Sequence, residues 1–547
     1  MNTSKFKRLL FGEPFPTSTA LHERLDKVRG LAVFASDPIS SNAYATEAVM
    51  SILIVMGSGA LTMTMPIVMA IAALVLIVVF SYIQTILHYP KGGGSYIVAK
   101  DNLGTLPSLI AAAALLTDYS LTVSVSVSAG IRAIVSAFPE IYDYRVWLAL
   151  VIIGILTWMN LRGVRESGTV FALPTYAFVG GVLLVILIGL ARSFELFGAA
   201  PLVPQTIDMT LLTDDLTQIG MIWILLRAFA AGCTALTGIE AISDGVQAFK
   251  PPEAKNAAQT MVAMGIIAMS LFVGISYLAT HLNLIPTEHD SLLSQLTRTI
   301  TGGGFLYYWV QTFTMLILVL AANTGYQDFP RLSYFLSRDK FMPRWMRNQG
   351  ERLVFNGGIV TLAVISSIVV IIFQADEFAM LPLYAIGVMI SFTLSQAGMV
   401  KLMTKVSKLK PGESIETQET ELHHENGWQW KRAVNALGAL TTFIVFLVLV
   451  VTKFAEGAWI IVLVIPIIIA MFYSINQHYD NVAESLSTRT LGARGISGVA
   501  DVVILPIGDV HRGTLRALQY ANLLSDDIRA VYISTSTEDK ERFTRRW

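Results

Sequence analysis

Twelve apolar stretches of about 20 residues recur between residues 30 and 475, and each can cross a hydrocarbon core of about 30 Å. Their centres fall near residues 43, 75, 122, 153, 181, 232, 269, 315, 365, 391, 442 and 465. At 547 residues, 54% hydrophobic and only 14% charged, the chain lacks the charge to cover a soluble surface of that size. The fold class expected is all-α and integral to the lipid bilayer, in the cell (inner or plasma) membrane. Residues 1–29 read as a cytosolic N-terminal segment, 30–475 as the transmembrane domain and 476–547 as a tail. The first 29 residues have no apolar core of a signal peptide, so the first span is expected to be its own insertion signal. The single cysteine, Cys233, excludes an internal disulfide and a thiolate metal cluster.

Lysine and arginine in short loops set orientation. The N-terminus carries Lys5, Lys7 and Arg8. The segment Asp328 to Phe355 carries Arg331, Arg338, Lys340, Arg344, Arg347 and Arg352, and Lys401, Lys405, Lys408 and Lys410 follow the tenth span. The turns after odd-numbered spans are acidic: Glu140 and Asp143; Asp208, Asp214 and Asp215; Glu288 and Asp290; Asp376 and Glu377. Around twelve spans these two sets fall on opposite sides, which predicts that both termini are cytoplasmic. The tail changes texture. An apolar run Val502 to Pro506, a helical stretch Arg512 to Leu524 and a β-rich run Ile528 to Ser536 predict strand, helix, strand with parallel-sheet character. The chain ends at Trp547 before a complete sheet, so the expectation is a partial cytosolic α/β domain, either cut short or completed by a partner.

The chemistry lies in two interruptions. In the first span the apolar run Gly30 to Phe34 gives way to Ala35-Ser36-Asp37-Pro38-Ile39-Ser40-Ser41-Asn42-Ala43-Tyr44. In the sixth, Ala230-Ala231-Gly232-Cys233-Thr234-Ala235-Leu236-Thr237-Gly238-Ile239-Glu240 does the same. Proline, glycine and small polar residues at mid-membrane depth cannot sustain a regular helix, and the freed backbone groups need partners. Breaks in spans one and six are the pattern of an inverted five-plus-five repeat whose discontinuous helices meet at a midplane site. Packing seams of small residues would explain the glycines but would not require Asp37 and Glu240.

The third span places Asp118, Thr122 and Ser126 on one helical face by their spacing of four. An ionised aspartate at the bilayer centre costs about 2.5–3.5 kcal/mol, so Asp118 must face a cavity or a partner. Arg132 lies about 21 Å further along a regular helix and is too far to be that partner. Asp37, Asp118 and Glu240 are therefore expected to converge, with hydroxyls from Tyr44, Thr122, Ser126 and Thr237. Tyr384, at the start of the tenth span, closes the same cavity, and Asn323 reads as interhelical glue. An oxygen-rich, nitrogen-poor, acidic site suits a hard cation. Close carboxylates in low dielectric cannot all stay ionised, so one must be able to take up a proton, and Glu240 is the candidate. No Ser-His-Asp or metal constellation stands out among the eight histidines, and His423-His424 sits in a polar loop, so enzyme activity is not expected. Neither a cofactor nor a nucleic-acid partner is expected.

Between the second and third spans lies Tyr89-Pro90-Lys91-Gly92-Gly93-Gly94-Ser95-Tyr96, with Asn102-Leu103-Gly104 after it. The lysine precedes the glycines and no strand leads in, so this is not a phosphate-binding loop. A tight re-entrant turn is expected instead. The motif resembles that of the amino acid–polyamine–organocation (APC) superfamily, whose fold is LeuT-like. Within it, Ser36-Asp37, Ser40-Ser41, Ala43-Tyr44, the Thr-Asp-Tyr at 117–119, Ala-Leu-Thr-Gly-Ile-Glu at 235–240, Ala-Ala-Asn-Thr-Gly at 321–325 and Pro-Leu-Tyr-Ala at 382–385 resemble the KimA-type potassium importers of the Kup (potassium uptake permease) family.

The resemblance covers nearly the whole chain, including a tail similar to that family's universal-stress-like domain. It implies potassium uptake by proton symport and ligation of potassium by Asp37, Tyr44, Asp118, Thr122, Ser126 and Thr237. It also implies proton handling at Glu240 and a homodimer joined through the tails. The chain departs from the Kup pattern in one loop. Gly-Gly-Gly-Ser-Tyr-Ile stands where typical members carry Gly-Gly-Thr-Phe-Ala-Leu, which leaves an amino-acid or polyamine permease as the alternative. Asp37 in the first break would repel an amino acid's carboxylate but not a polyamine.

Overall fold

The structure is a computed structural model that describes residues 24–162, 168–198, 200–205, 218–287, 290–350, 354–487, 501–534 and 537–547. Lys5, Lys7, Arg8, Asp208, Asp214, Asp215, Glu288 and Arg352 lie outside the described residues. The chain divides into two compact units, one ending at Asn476 and the other running from Gln477 to Trp547.

Ten helices among the described residues are long and apolar enough to cross a membrane, and the shorter apolar helices Asn42–Met56 and Asn356–Ile372 accompany them. In chain order the spans are span 1, from Lys27 to Leu53 in three pieces; span 2, Thr64–His88; span 3, Thr105–Ala137; span 4, Arg145–Leu161; span 5, Gly168–Ser193; and span 6, from Gln218 to Asp244 with a break. Then follow span 7, Glu253–His281; span 8, Phe305–Arg338; span 9, Asn356–Ile372; span 10, Glu377–Val406; span 11, Trp428–Lys453; and span 12, Ala458–Ser485. Every centre read from the sequence falls inside one of these.

Span 3 is the axis of the bundle. Its most apolar window is 89% buried, against 22% for span 12, whose side chains face outward as lipid-facing ones do. It packs against spans 8 and 10. Asn160 of span 4 donates to Asn323 Oδ1 at 2.6 Å, so Asn323 is the interhelical tie its isolation suggested.

The two breaks differ in depth. Span 1 bends rather than unwinds: Lys27–Phe34, Ser36–Ser40 and Asn42–Leu53 are separate helices, yet the backbone bonds Ala35 N to Leu31 O, Ile39 N to Ala35 O and Ala45 N to Ser41 O carry across both joints. Pro38 sits in the first turn of the middle piece, where a missing N–H is best tolerated. Span 6 opens fully. Gln218–Gly232 passes into a tight 3₁₀ turn, Thr237 is extended, and Gly238 has φ +75° before Ala241–Asp244 resumes. Only glycine adopts that conformation without strain.

Beyond the spans, Gly94–Asn102 is a short helix entered through the glycine run, with Gly92 and Gly93 at φ +71° and +101°. This is the tight turn expected of that loop. The polar loop after span 10 holds an unforeseen hairpin, β1 Ser414–Glu416 paired antiparallel with β2 Glu421–His423. In the second unit β3, Val502–Pro506, pairs in parallel with β4, Asp527–Val531, with helix Arg512–Ala521 between them. A further helix, Thr537–Arg546, follows.

Candidate ion site

Asp37 projects from the middle piece of span 1 into the opening that Gly238 leaves in span 6. A Cβ at Gly238 would collide with Asp37 Oδ2, so that glycine is required by space as well as by φ. From span 10, the Tyr384 hydroxyl lies 3.4 Å from both Asp37 oxygens, with Thr122 of span 3 beside it. Ser41 Oγ is the hub on the other side, 3.1 Å from Tyr44 Oη, 3.0 Å from Thr237 Oγ1 and 3.0 Å from the Asp37 carbonyl oxygen. Asp37, Tyr44, Asp118, Thr122, Ser126, Thr237, Glu240 and Tyr384 are all buried.

Proton direction matters here. Thr122 Oγ1 donates to the Asp118 carbonyl at 3.0 Å and Thr237 Oγ1 to the Thr234 carbonyl at 2.8 Å. With their protons committed to backbone, both hydroxyls have only lone pairs to offer, which favours a cation over an anion. Asp118 Oδ1 has no hydrogen-bond partner, nor does Glu240 Oε1. No lysine or arginine pairs with Asp37, Asp118 or Glu240 among the described residues. Unpaired carboxylates in low dielectric call for a cation or a proton.

The carboxylates lie close enough to act on one another. Asp37 acts electrostatically on Asp118, Asp118 on Glu240, and Glu240 is flanked in turn by Asp244. Among the described residues no three acidic, histidine or cysteine side chains come together as a metal cluster. Ser126 is buried one turn beyond Thr122 on span 3. Asp244 was missed in the sequence, although it lies four residues after Glu240 and so one turn on. It accepts from Tyr119 Oη at 2.9 Å. Ser41 was read as part of the first break but not as a ligand.

Arg132 serves elsewhere, as its distance from Asp118 required. It reaches Glu47 of span 1 at 2.5 Å, Glu377 of span 10 at 3.1 Å and the Thr287 carbonyl at 2.9 Å. This knot lines a cavity of about 720 Å³ beside Arg145, Asp376 and Glu456, at the end bearing the acidic turns. At the opposite end Lys91, Asp244, Arg331 and Arg347 line a second cavity of about 760 Å³.

A family model described as amino acid permease matches residues 29–472, and one described as the KimA potassium transporter C-terminal domain matches residues 499–547. The potassium transporter KimA of Bacillus subtilis (strain 168) is 40% identical over 541 residues, covering 99% of this chain and 85% of that protein. The chain belongs to the KimA family, within the amino acid permeases. Among solved structures, a mutant of the manganese transporter of Eremococcus coleocola aligns at 12% identity with a TM-score of 0.41, over 87% of this chain and 98% of that one. In this KimA-family chain the two matched regions are the helical bundle and the β3–β4 segment.

Proposed function

We propose that this chain imports potassium across the cell membrane and that protons entering with it drive the uptake. It is a transporter and not an enzyme. The observation that carries the reading is the pair Asp37 and Asp118, buried without a basic partner among the described residues, in a site whose Thr122 and Thr237 hydroxyls give their protons to backbone carbonyls. The relative from Bacillus subtilis, a potassium transporter, supports potassium as the cargo, and the matching tail supports it over an amino acid or polyamine. Potassium sits among Asp37, Tyr44, Asp118, Thr122, Ser126 and Thr237, with Tyr384 closing the site. Glu240, with one oxygen unpartnered, takes up and releases the proton.

Sidedness follows from the charged loops. The basic end, with Arg331 and Arg347, faces the cytoplasm, as do both termini, and the Arg132 knot faces outward. In the tail, Leu515, Tyr520, Leu523 and Leu524 are exposed on or just after one helix, and β3–β4 is a two-stranded sheet. Exposed apolar side chains and unpaired strand edges support a homodimer joined there.

Purified protein in liposomes tests the cargo. Potassium uptake that stops in Asp118→Asn, with the variant still inserted and monodisperse, is the expected outcome. Uptake of spermidine or a neutral amino acid, with potassium neither competing nor entering, would overturn it.

A further inference from the structure

Glu240 begins a chain of hydroxyls that ion ligation does not use. Ser391 Oγ of span 10 lies 3.2 Å from Glu240 Oε2 and 2.7 Å from Ser95 Oγ, at the start of the Gly94–Asn102 helix. Ser95 Oγ lies 3.1 Å from Tyr82 Oη of span 2. All four residues are buried.

A serine hydroxyl has one proton, and Ser391 faces two acceptors. When Glu240 is ionised, Ser391 donates to it, Ser95 donates to Ser391 and Tyr82 donates to Ser95. When Glu240 is protonated, it donates to Ser391 and Ser391 donates to Ser95. The chain therefore has two orientations, one for each charge state of Glu240.

Another carboxylate lies beside Ser95. Gly94 directly precedes Ser95, and a Cβ at Gly94 would collide with Asp244 Oδ1. The Asp244 carboxylate thus lies against the backbone at the foot of Ser95, with no direct hydrogen bond to the Ser95 hydroxyl. Asp244 also lines the 760 Å³ cavity at the basic end, with Lys91 and Arg331.

We propose that Ser391 and Ser95 relay a proton from Glu240 to Asp244, which releases it into that cavity. The inference rests on Glu240 as the proton-handling group. The Glu240 O–H bond breaks as Ser391 Oγ gains the proton. Ser391 passes its own to Ser95, and Ser95 passes its own through a bridging water to the Asp244 carboxylate, which yields it to the cavity. One proton crosses, and each serine ends as a neutral hydroxyl turned the other way.

Potassium uptake and proton influx are measured together in proteoliposomes from pH 5.5 to 8.5. Ser391→Ala and Ser95→Ala should slow both fluxes on the order of a hundredfold, the scale of a lost proton-transfer group, with the KM for potassium unchanged. Ser391→Thr, which keeps the hydroxyl, should restore them. Alanine variants with wild-type rate and pH profile would overturn the relay. So would a Ser391→Thr variant as slow as Ser391→Ala, since that marks a packing role. Glu240→Gln separates the two readings. If it still moves protons with potassium, the assignment of Glu240 fails and the relay with it. If it loses coupling while both alanine variants keep it, the relay alone fails.

Discussion

The Tyr384 hydroxyl lies 3.4 Å from each carboxylate oxygen of Asp37, tying span 10 to the middle of span 1. No backbone contact is needed for this tie. It is a single phenol set over a carboxylate, and the same hydroxyl meets Thr122. An ion entering between Asp37 and Thr122 would find its last oxygen ligand already in place, and an ion leaving would have to pass that ring.

Tyr384→Phe removes this oxygen and keeps the ring. A hydrogen bond to a charged group contributes about 1.5–3 kcal/mol. The bonds here are long, so the lower figure applies, and about 1.4 kcal/mol is a factor of about ten. Potassium KM should rise about tenfold with little change in thermal stability. An unchanged KM in uptake assays would exclude Tyr384 as a closing ligand.

Much of this arrangement was legible in the sequence because membrane insertion leaves few choices. Apolar length located the spans, and Asp37, Asp118 and Glu240 stood out since a carboxylate at that depth needs a reason. Other features were not legible. Nothing local says that span 1 would bend at Ala35 and Ser41 while span 6 opens at Thr237, because Pro38 happens to fall where a first turn tolerates it. Asp244 escaped notice because it follows the break rather than interrupting an apolar run. The role of Ser41 depends on Thr237, 196 residues away, a contact that only the folded bundle creates. The hairpin after span 10 has little apolar alternation to announce it: Leu422 is its one buried side chain.

Gly238→Ala tests whether the span 6 opening seats Asp37. At φ +75° a side chain costs about 1–3 kcal/mol, and the new methyl would meet the Asp37 carboxylate. Melting temperature should fall modestly and potassium uptake should be nearly lost. Wild-type uptake would mean that Asp37 has room to move without consequence.

Arg132 holds two acids at once, Glu47 and Glu377, and only a fork-shaped guanidinium can do so with separate nitrogens. Removing one member of a buried ion pair costs about 3–5 kcal/mol, because the remaining charge is left uncompensated. Arg132→Gln should lower the melting temperature in detergent sharply, and Arg132→Lys should recover only part of the loss. A melt unchanged by Arg132→Gln would show that the knot carries no stability.

Removal of residues 485–547 leaves the twelve spans and takes away β3, β4 and their exposed helix. The truncated protein should insert normally and run as a monomer by light scattering. Persistence of a full dimer would place the subunit interface in the membrane.

Glu425 gives a pH-dependent prediction outside the bilayer. The β1–β2 hairpin is fastened to the end of span 2, where Thr420 Oγ1 donates to the His88 carbonyl at 2.5 Å and Glu425 meets His88 Nε2 at 3.2 Å. Arg338 of span 8 holds Glu419 at 3.2 Å. The His88 ring beside it, and then the Lys431 ammonium, outweigh the opposing effect of burial and hold the Glu425 carboxyl down at about 2. A carboxylate whose folded pKa is depressed contributes stability that is fully present above its ordinary value, about 4.5. That contribution fades as pH falls from there towards about 2. A spin label on Ile415→Cys, in a Cys233→Ala background, should therefore stay immobile from pH 8 to about 5 and loosen progressively below that. In Glu425→Gln the label should be looser at neutral pH and indifferent to acid over the same window. An acid-loosened label in Glu425→Gln would assign the transition to another group.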